Sequence, residues 1–404
     1  MTVNLYKKKI NILFFELRGD SLLRFPLWLS TSLLNISKNI NLSFLVDEKI
    51  SQSVKVCFDT SQCQFYEISN KFSVEAIKSE LIKIKPNIII IFAHRIPDLA
   101  ILIAAKELNI KTIYFQHGLY IPFMKRNISL FFKNIFKTFK YFFYAISLGS
   151  HYKIGKFTSL LSFIKIYILG KNINSTKLPK SLMTADVCLV YGSYWKDYHI
   201  NNYGYKKHAI KIVGTPDLDD VDLENEPNIE TRLKNKTFCY VAQTLVEDGR
   251  LTRSSMKIFV KNLSKHINQI NGELLIKLHP RSDKSLFSDL DCKFKYCNKF
   301  PVADIYLGHY STMIIRGIAH SEKFILINFP GHEIPIYISM LASKIIEYND
   351  EIAFKDAFHS LSQEATDINK IFIKREKLKN YFDVSDKRSF DRAAEAMLDE
   401  IIER

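Results

Sequence analysis

The chain has 404 residues, of which 47% are hydrophobic and 25% are charged, a composition that excludes a disordered protein. Because one hydrophobic core rarely grows beyond about 250–300 residues, this length predicts two domains. The net charge is +15, but no helix-turn-helix, zinc-finger or RNA-binding pattern accompanies it, so nucleic acid is not an expected partner.

The six cysteines are scattered without a C-x-x-C spacing, which predicts neither a zinc site nor a disulfide framework and suits a reducing cytosol. The amino-terminal apolar run is short and lacks a small-residue cleavage site, so it is predicted to be a strand and not a signal peptide. No apolar run reaches about 18 residues, so no spanning helix is expected. The predicted location is therefore cytoplasmic.

Strand-like apolar runs alternate with helical stretches, which predicts parallel sheets covered by helices. In the first half, strands are predicted at 10–17, 41–47, 54–59, 87–94, 112–118, 186–192 and 210–216. In the second half, strands are predicted at 237–244, 273–280, 292–297, 304–310, 323–330 and 344–350. Helices are predicted near 254–270, from about 312, and at 352–380 and 387–403.

An acidic segment at 221–234 separates the two series and is the predicted linker. Residues 1–220 are predicted to form one Rossmann-like domain and residues 235–385 a second. A helix at 386–404 is predicted to cross back to the first domain. Two doubly wound α/β domains that face a cleft define the GT-B architecture. In such sheets, ligands bind beyond the carboxyl ends of the strands.

A basic amphipathic insert is predicted at 121–180 within the first domain. No Asp or Glu occurs between Leu108 and Thr184, while lysines recur at helical spacing beside phenylalanines. This pattern is typical of a helix that lies on an anionic membrane surface, and 121–171 is the predicted contact region. The alternative is a helix that packs on its own domain and exposes a solvated basic edge.

Two polar motifs follow strands of the second domain. His279 ends the strand at 273–280, and Pro280 prevents a helix from beginning there. Ser311 and Thr312 stand before a short apolar helix, shortly after Gly308. A helix start with hydroxyl side chains is suited to bind an anion, although an ordinary helix cap has the same sequence. Together these motifs predict a phosphate site without a metal, since no DxD-like pair ends a strand.

The His279-Pro280 step and the Ser311-Thr312 pair resemble two motifs of bacterial sialyltransferases and related capsule enzymes. Glu247-Asp248-Gly249 resembles their third motif, in which a carboxylate deprotonates the acceptor hydroxyl. In that family this motif lies far upstream in the N-terminal domain, whereas here it follows the first strand of the second. Glu247 and Asp248 are thus candidate bases, or they line the donor site with Gly249.

A second resemblance concerns the first domain, where TIYFQHGLY is similar to the strand-HG segment of teichoic acid glycerophosphotransferases. By this likeness His117 is the rival base, and Gly118 permits a tight turn. Other strand-end residues are secondary candidates: Arg18 and His94 for the acceptor, and Glu333 for a donor ribose.

These resemblances imply a glycosyltransferase peripheral to the inner membrane. It would move a sialic- or pseudaminic-type sugar from a CMP-activated donor to a capsule or lipooligosaccharide acceptor, without a metal or other cofactor. In this scheme His279 stabilises the leaving phosphate. The alternatives are a transferase using CDP-glycerol, CMP-Kdo or a UDP-sugar, and a non-catalytic polysaccharide-assembly or membrane-surface protein.

Overall fold

The computed structural model describes residues 9–58, 61–68, 71–119, 135–151, 154–219, 236–279, 281–330, 332–364, 367–383 and 387–402. Its first sheet has seven parallel strands in the order β3-β2-β1-β4-β5-β6-β7. These strands are β1 Ile10–Glu16, β2 Ile40–Val46, β3 Cys63–Glu67, β4 Ile88–Ile91, β5 Lys111–Phe115, β6 Val187–Val190 and β7 Ile210–Ile212. Most of them are continuous apolar runs, as expected when helices cover both faces.

The second sheet has six parallel strands in the order β10-β9-β8-β11-β12-β13. The strands are β8 Thr237–Val241, β9 Glu273–Lys277, β10 Phe294–Tyr296, β11 Ile305–Gly308, β12 Lys323–Asn328 and β13 Lys344–Glu347. In both sheets the chain order reverses around the first strand, β1 or β8. Such a reversal opens a crevice at the carboxyl ends of the neighbouring strands, where ligands bind.

Fourteen helices are present in the described part of the chain. They are α1 Phe25–Ile36, α2 Gln52–Lys55, α3 Val74–Ile84, α4 Ile96–Glu107, α5 Ile135–Gly149, α6 Lys156–Phe163, α7 Lys180–Met183, α8 Ser193–Tyr203, α9 Arg253–Gln269, α10 Thr312–His320, α11 Ile336–Ser339, α12 Glu351–Gln363, α13 Ile368–Phe382 and α14 Ser389–Ile402. A π-helical turn, Ile164–Ile168, continues α6, and a 3-10 turn, Pro216–Leu218, follows β7.

The last helices return to the first domain. α13 contacts α8, and α14 packs along α1, where Phe25 and Phe390 meet edge to face at 5.6 Å. Ser389, at the start of α14, donates its hydroxyl to Asp219 at 2.7 Å. The predicted pair of doubly wound domains with helices crossing back is therefore confirmed. The predicted linker at 221–234 lies outside the described residues.

Two predicted elements are wrong. Of the strand predicted at 54–59, the described residues 54–58 lie in α2 and a turn, and the edge strand is β3, whose Phe65 pairs with Phe44 of β2. The single helix predicted at 352–380 is two helices, α12 and α13. α13 has its own N-cap, Asp367, whose carboxylate accepts from the Asn369 backbone. A capped start satisfies amide groups that a continuous helix would have bonded internally.

Buried histidines should make stability depend on acid. His199 and His309 are fully buried, and burial lowers the pKa of each to about 4. Below about pH 6.5 the unfolded chain binds protons that the folded chain excludes, so stability falls as the pH drops. We expect a loss of about 2 kcal/mol per histidine between pH 7 and pH 4.5, measured by urea unfolding. If the imidazole NMR signals assigned to His199 and His309 titrated near pH 6.5 in the folded protein, the prediction would be contradicted.

Candidate active site

The register of the second sheet brings the predicted donor motifs to one edge. Val241, at the end of β8, pairs with Lys277 of β9 on one side and with Gly308 of β11 on the other. His279 lies two residues beyond β9, and Ser311 lies three residues beyond β11. Since adjacent strands are about 4.8 Å apart, the two strand ends flank the β8 loop at a separation of about 10 Å.

The β8 loop is bonded to the loops on both sides. The Gln243 side-chain amide donates to the Tyr310 carbonyl at 2.8 Å, which ties it to the β11 loop. On the other side, Arg281 donates to Asp248 at 3.1 Å and to Thr244 at 3.2 Å. The three strand ends therefore form one connected surface.

The carboxylates of the predicted acidic pair take part in these bonds. Glu247 accepts from the Asp283 backbone amide at 2.7 Å. Burial favours a higher pKa for Asp248, but the Thr244 hydrogen bond and the Arg281 charge outweigh it and lower that pKa. Gly249 completes the turn with a φ of 60°, which favours glycine. These roles are structural, and they leave Asp248 a weaker base than an unpaired carboxylate.

His279 is exposed, and its tautomer follows from its hydrogen bond. The Arg281 backbone amide donates to Nδ1 at 3.1 Å, so the proton of the neutral ring resides on Nε2. Although His279 is exposed, the loops around it partly desolvate the ring and lower its pKa, and the charges of Arg281 and Arg24 lower it further. A neutral ring with an Nε2–H group can donate a hydrogen bond to an anion. Pro280 lies outside the described residues.

The start of α10 has the expected capped form. Ser311 is half-buried, and its hydroxyl accepts from the Met313 amide at 3.3 Å, while Thr312 is buried. Gly308 has a packing role, because an added Cβ would lie 2.8 Å from the Ile314 side chain. The helix start is thus pressed against the end of β11, with its positive dipole end at the same edge as His279.

A basic hollow of about 450 Å³ adjoins this edge. Its lining includes Lys277, just before His279, and Arg316 of α10, whose guanidinium lies 5.6 Å from the centre of the Phe300 ring. Lys299 and His320 also line it. A larger hollow of about 560 Å³, lined by Lys111 and Asp186, lies at the amino ends of β5 and β6. The basic hollow is the nearer of the two to the carboxyl ends, where parallel sheets bind ligands, but its lining does not include His279, Ser311 or Thr312.

His117 follows β5 in the first domain and is part of a three-residue chain. Arg24, just before α1, lies with Nη1 3.1 Å from His117 Nε2 and donates Nη2 to the two Asp217 oxygens at 3.1 and 3.2 Å. Since a guanidinium only donates, Nε2 of His117 accepts and Nδ1 carries the proton. Gly118 has a φ of 80°, and its amide donates to the Tyr191 hydroxyl at 3.0 Å.

The surroundings keep His117 neutral. Part of the residue is exposed, yet the dense protein around the ring and the Arg24 charge lower its pKa to about 3. A neutral imidazole can accept a proton, but while Arg24 stays at Nε2 the lone pair is used and the ring is no stronger a base than an ordinary carboxylate. An acceptor hydroxyl would have to replace Arg24 at this atom.

The two domains face each other at these residues. The Arg24 charge reaches His279, whose pKa it helps to lower, and Asp217 acts on Arg316, whose pKa falls because burial outweighs this attraction. The turn that contains Asp217 also contacts α10. The turn with Asp217, which binds Arg24, therefore lies against α10, and Arg24 lies near enough to His279 to act on its charge.

The secondary candidates lie elsewhere. Arg18 is half-buried, and its guanidinium forms a bidentate ion pair with Asp20. His94 is buried among aromatic rings, with Nε2 3.2 Å from the Tyr205 hydroxyl and its ring stacked on Tyr203 at 4.2 Å. This interior position argues against acceptor binding by His94. Glu333 is exposed in the loop after β12.

Sequence reasoning missed Arg24, Asp217 and Arg281. Arg281 directly follows the His279-Pro280 step, so its closeness to the motif was an available signal. Asp217 follows β7 at a carboxyl end, which was a second signal. Arg24 had none, because it precedes a helix and meets Asp217 across 193 positions of sequence.

No family model and no curated protein matches the sequence. Solved structures match the fold over nearly the whole chain. The glycotransferase of kitacinnamycin has a TM-score of 0.56 and 10% identity, covering 98% of this chain and 100% of that one. The calicheamicin glycosyltransferase CalG4 has a TM-score of 0.56 and 11% identity, covering 98% and 99%. UDP-GlcNAc 2-epimerase from Neisseria meningitidis bound to UDP-GlcNAc has a TM-score of 0.54 and 10% identity, covering 98% and 100%. These similarities show that the chain has the GT-B fold.

Proposed function

We propose that this protein is a glycosyltransferase that moves a nonulosonic acid from a CMP-activated donor to a bacterial surface glycan. The observation that carries the proposal is the arrangement at the cleft, where His279 and the start of α10 flank one loop and face His117 and Arg24. The GT-B fold also occurs in a protein bound to UDP-GlcNAc, which supports a nucleotide-sugar ligand. The CMP donor rests on the resemblance of the His279 and Ser311-Thr312 motifs to sialyltransferases.

In this proposal the donor phosphate occupies the edge between His279 and α10. The Nε2–H group of His279 donates a hydrogen bond or a proton to the phosphate as the glycosidic bond breaks. This stabilises the negative charge that develops on the leaving phosphate. Ser311 and Thr312 present hydroxyls and helix amides to the phosphate oxygens. Positive charge around the phosphate comes from Arg24, Lys277 and Arg316. In this proposal these side chains offset the negative charge of the phosphate.

The acceptor proton is assigned to His117 rather than to the acidic pair. Asp248 is held by the Arg281 guanidinium, and Glu247 accepts from the Asp283 backbone amide, which restricts the movement of both carboxylates. His117 is neutral and lies on the opposite wall. When the donor phosphate attracts Arg24, the Nε2 lone pair becomes available to the acceptor hydroxyl. We further propose that the acceptor lies at the cytoplasmic face of an anionic membrane.

The donor class is tested by nucleotide release. Purified protein is incubated with CMP-, CDP- and UDP-activated donors, with and without a chelator, and the released nucleotide is quantified. We expect release of CMP from a CMP-nonulosonic acid, unaffected by the chelator, and faster with a glycan acceptor. Release from UDP-sugars alone would overturn the donor assignment. Conversion of UDP-GlcNAc to its 2-epimer, the reaction named for one similar structure, would overturn transfer itself.

A further inference from the structure

Helices α5 and α6 form a hairpin that is fixed to the first domain. Tyr141 and Tyr144 of α5 are buried in the core. The Ser147 hydroxyl accepts from the Val74 amide at 2.9 Å, and Lys140 lies 2.7 Å from both the carbonyl and the carboxylate of Asp47. The inner face of the hairpin therefore packs against the first domain and forms hydrogen bonds with it.

The outer face of the same hairpin is apolar. Its exposed side chains recur every three or four residues, so they lie on one side of each helix, opposite the buried tyrosines. Phe136 is 88% exposed and Phe157 is 74% exposed. We call this surface the hairpin face; its members are Phe136, Phe139, Phe143, Phe157, Leu161, Ile168 and Leu169. Clustered exposed aromatics of this size mark a binding surface.

The positive charge around the hairpin face indicates what kind of partner this face binds. The hairpin face lies within the segment from Leu108 to Thr184 that has no acidic residue, and Lys156 and Lys171 beside it are exposed. A second copy of the chain would bring like charges together, which disfavours self-association through this face. An anionic lipid surface supplies both an apolar interior for the phenylalanines and negative headgroups for the lysines.

We propose that the hairpin face inserts into the interfacial region of an anionic phospholipid bilayer. In this proposal the face lies flat on the surface of the bilayer. None of the helices in the described ranges is both long enough and apolar enough to cross a membrane. Lys140 joins the hairpin to Asp47, which follows β2 at the carboxyl edge that also positions His117. If the proposed function holds, the acceptor is thus an amphiphile anchored in that bilayer.

The test is vesicle co-sedimentation of the full chain, which needs no enzymatic substrate. We expect binding to phosphatidylcholine vesicles that contain phosphatidylglycerol, weak binding to phosphatidylcholine alone, and weaker binding as NaCl is raised. The double variant Phe136→Ser and Phe157→Ser should lower the partition coefficient by roughly 100-fold, since each buried phenylalanine contributes about tenfold or more. The matched control is Ile258→Ser with Ile352→Ser, which removes two similarly exposed side chains from the second domain.

Other outcomes separate the explanations. Equal binding by the double variant and the control would overturn the proposal. Absence of vesicle binding together with concentration-dependent dimers, lost in the double variant, would assign the face to a second copy instead. Because sedimentation measures docking alone, a failure of the donor assay leaves this result intact. The acceptor class is then checked by comparing transfer to acceptors in vesicles with transfer to water-soluble analogues.

Discussion

Replacing His279 by alanine is expected to lower kcat for transfer by roughly 100- to 10,000-fold, the usual contribution of a positioned acid or hydrogen-bond donor. The physical reason is that the Nε2–H group, fixed by the Arg281 amide on Nδ1, acts most strongly on the charge that develops as the phosphate leaves. The KM for the donor should change less than kcat. Both constants are measured by steady-state kinetics with the donor that the nucleotide-release assay identifies.

The control for this variant is His208→Ala, which removes an exposed histidine that lines the hollow at the amino ends of the first sheet. It should leave both constants unchanged. Full activity of the His279 variant would contradict the mechanism. A rise in KM alone would reduce His279 to a binding residue, because only interactions that strengthen in the transition state change kcat.

Replacing His117 by asparagine is expected to reduce kcat by a comparable factor, roughly 100-fold or more, because the proposed general base is lost.

Replacing Arg24 by glutamine tests the role of His117 through the pH dependence of kcat/KM. Burial and the Arg24 charge together keep the pKa of His117 at about 3, so removing the charge raises that pKa. Protonation then inactivates the base at a higher pH. The acidic limb of the pH profile of kcat/KM should accordingly shift to higher pH.

A merely structural role of Arg24 would lower activity equally at every pH, and that outcome would refute the link to His117. The ring can also be followed directly, by NMR of histidine-labelled protein with and without the Arg24 change. Asp217→Asn should move the acidic limb the opposite way, to lower pH, because the Asp217 charge raises the pKa of His117 and the variant removes it. If His117→Asn retained wild-type kcat, Glu247 and Asp248 would return as the candidate bases.

The parallel sheets were predictable because their strands are almost purely apolar. Runs such as NIIIIFA suit a strand buried on both faces, and the ends of two such runs marked the candidate residues His117 and His279. Strand pairing was not predictable to the same degree. The run at 54–59 has a better strand pattern than the polar segment around Gln64, yet the latter pairs with β2. Long-range pairing, rather than local preference, decides such edge positions.

Only those residues of the candidate site that directly follow a strand recognisable in the sequence could be predicted. His279 and Ser311 each follow a recognisable strand, so their common edge followed from topology. The chain from Asp217 through Arg24 to His117 depends on three segments that meet only in the folded protein. His94 also follows a strand, but its ring lies in the core because aromatic neighbours such as Tyr203 enclose it, and this enclosure was not visible in the sequence.

The return of α13 and α14 to the first domain has a consequence for biosynthesis. Gly192 in that domain lies so close to α13 that an added Cβ would stand 2.8 Å from the Tyr381 carbonyl, and α14 covers α1. Both helices leave the ribosome long after the surfaces they cover. The nascent first domain therefore presents apolar patches to the cellular environment until translation has passed α14, and chaperones that hold such patches would act during this interval.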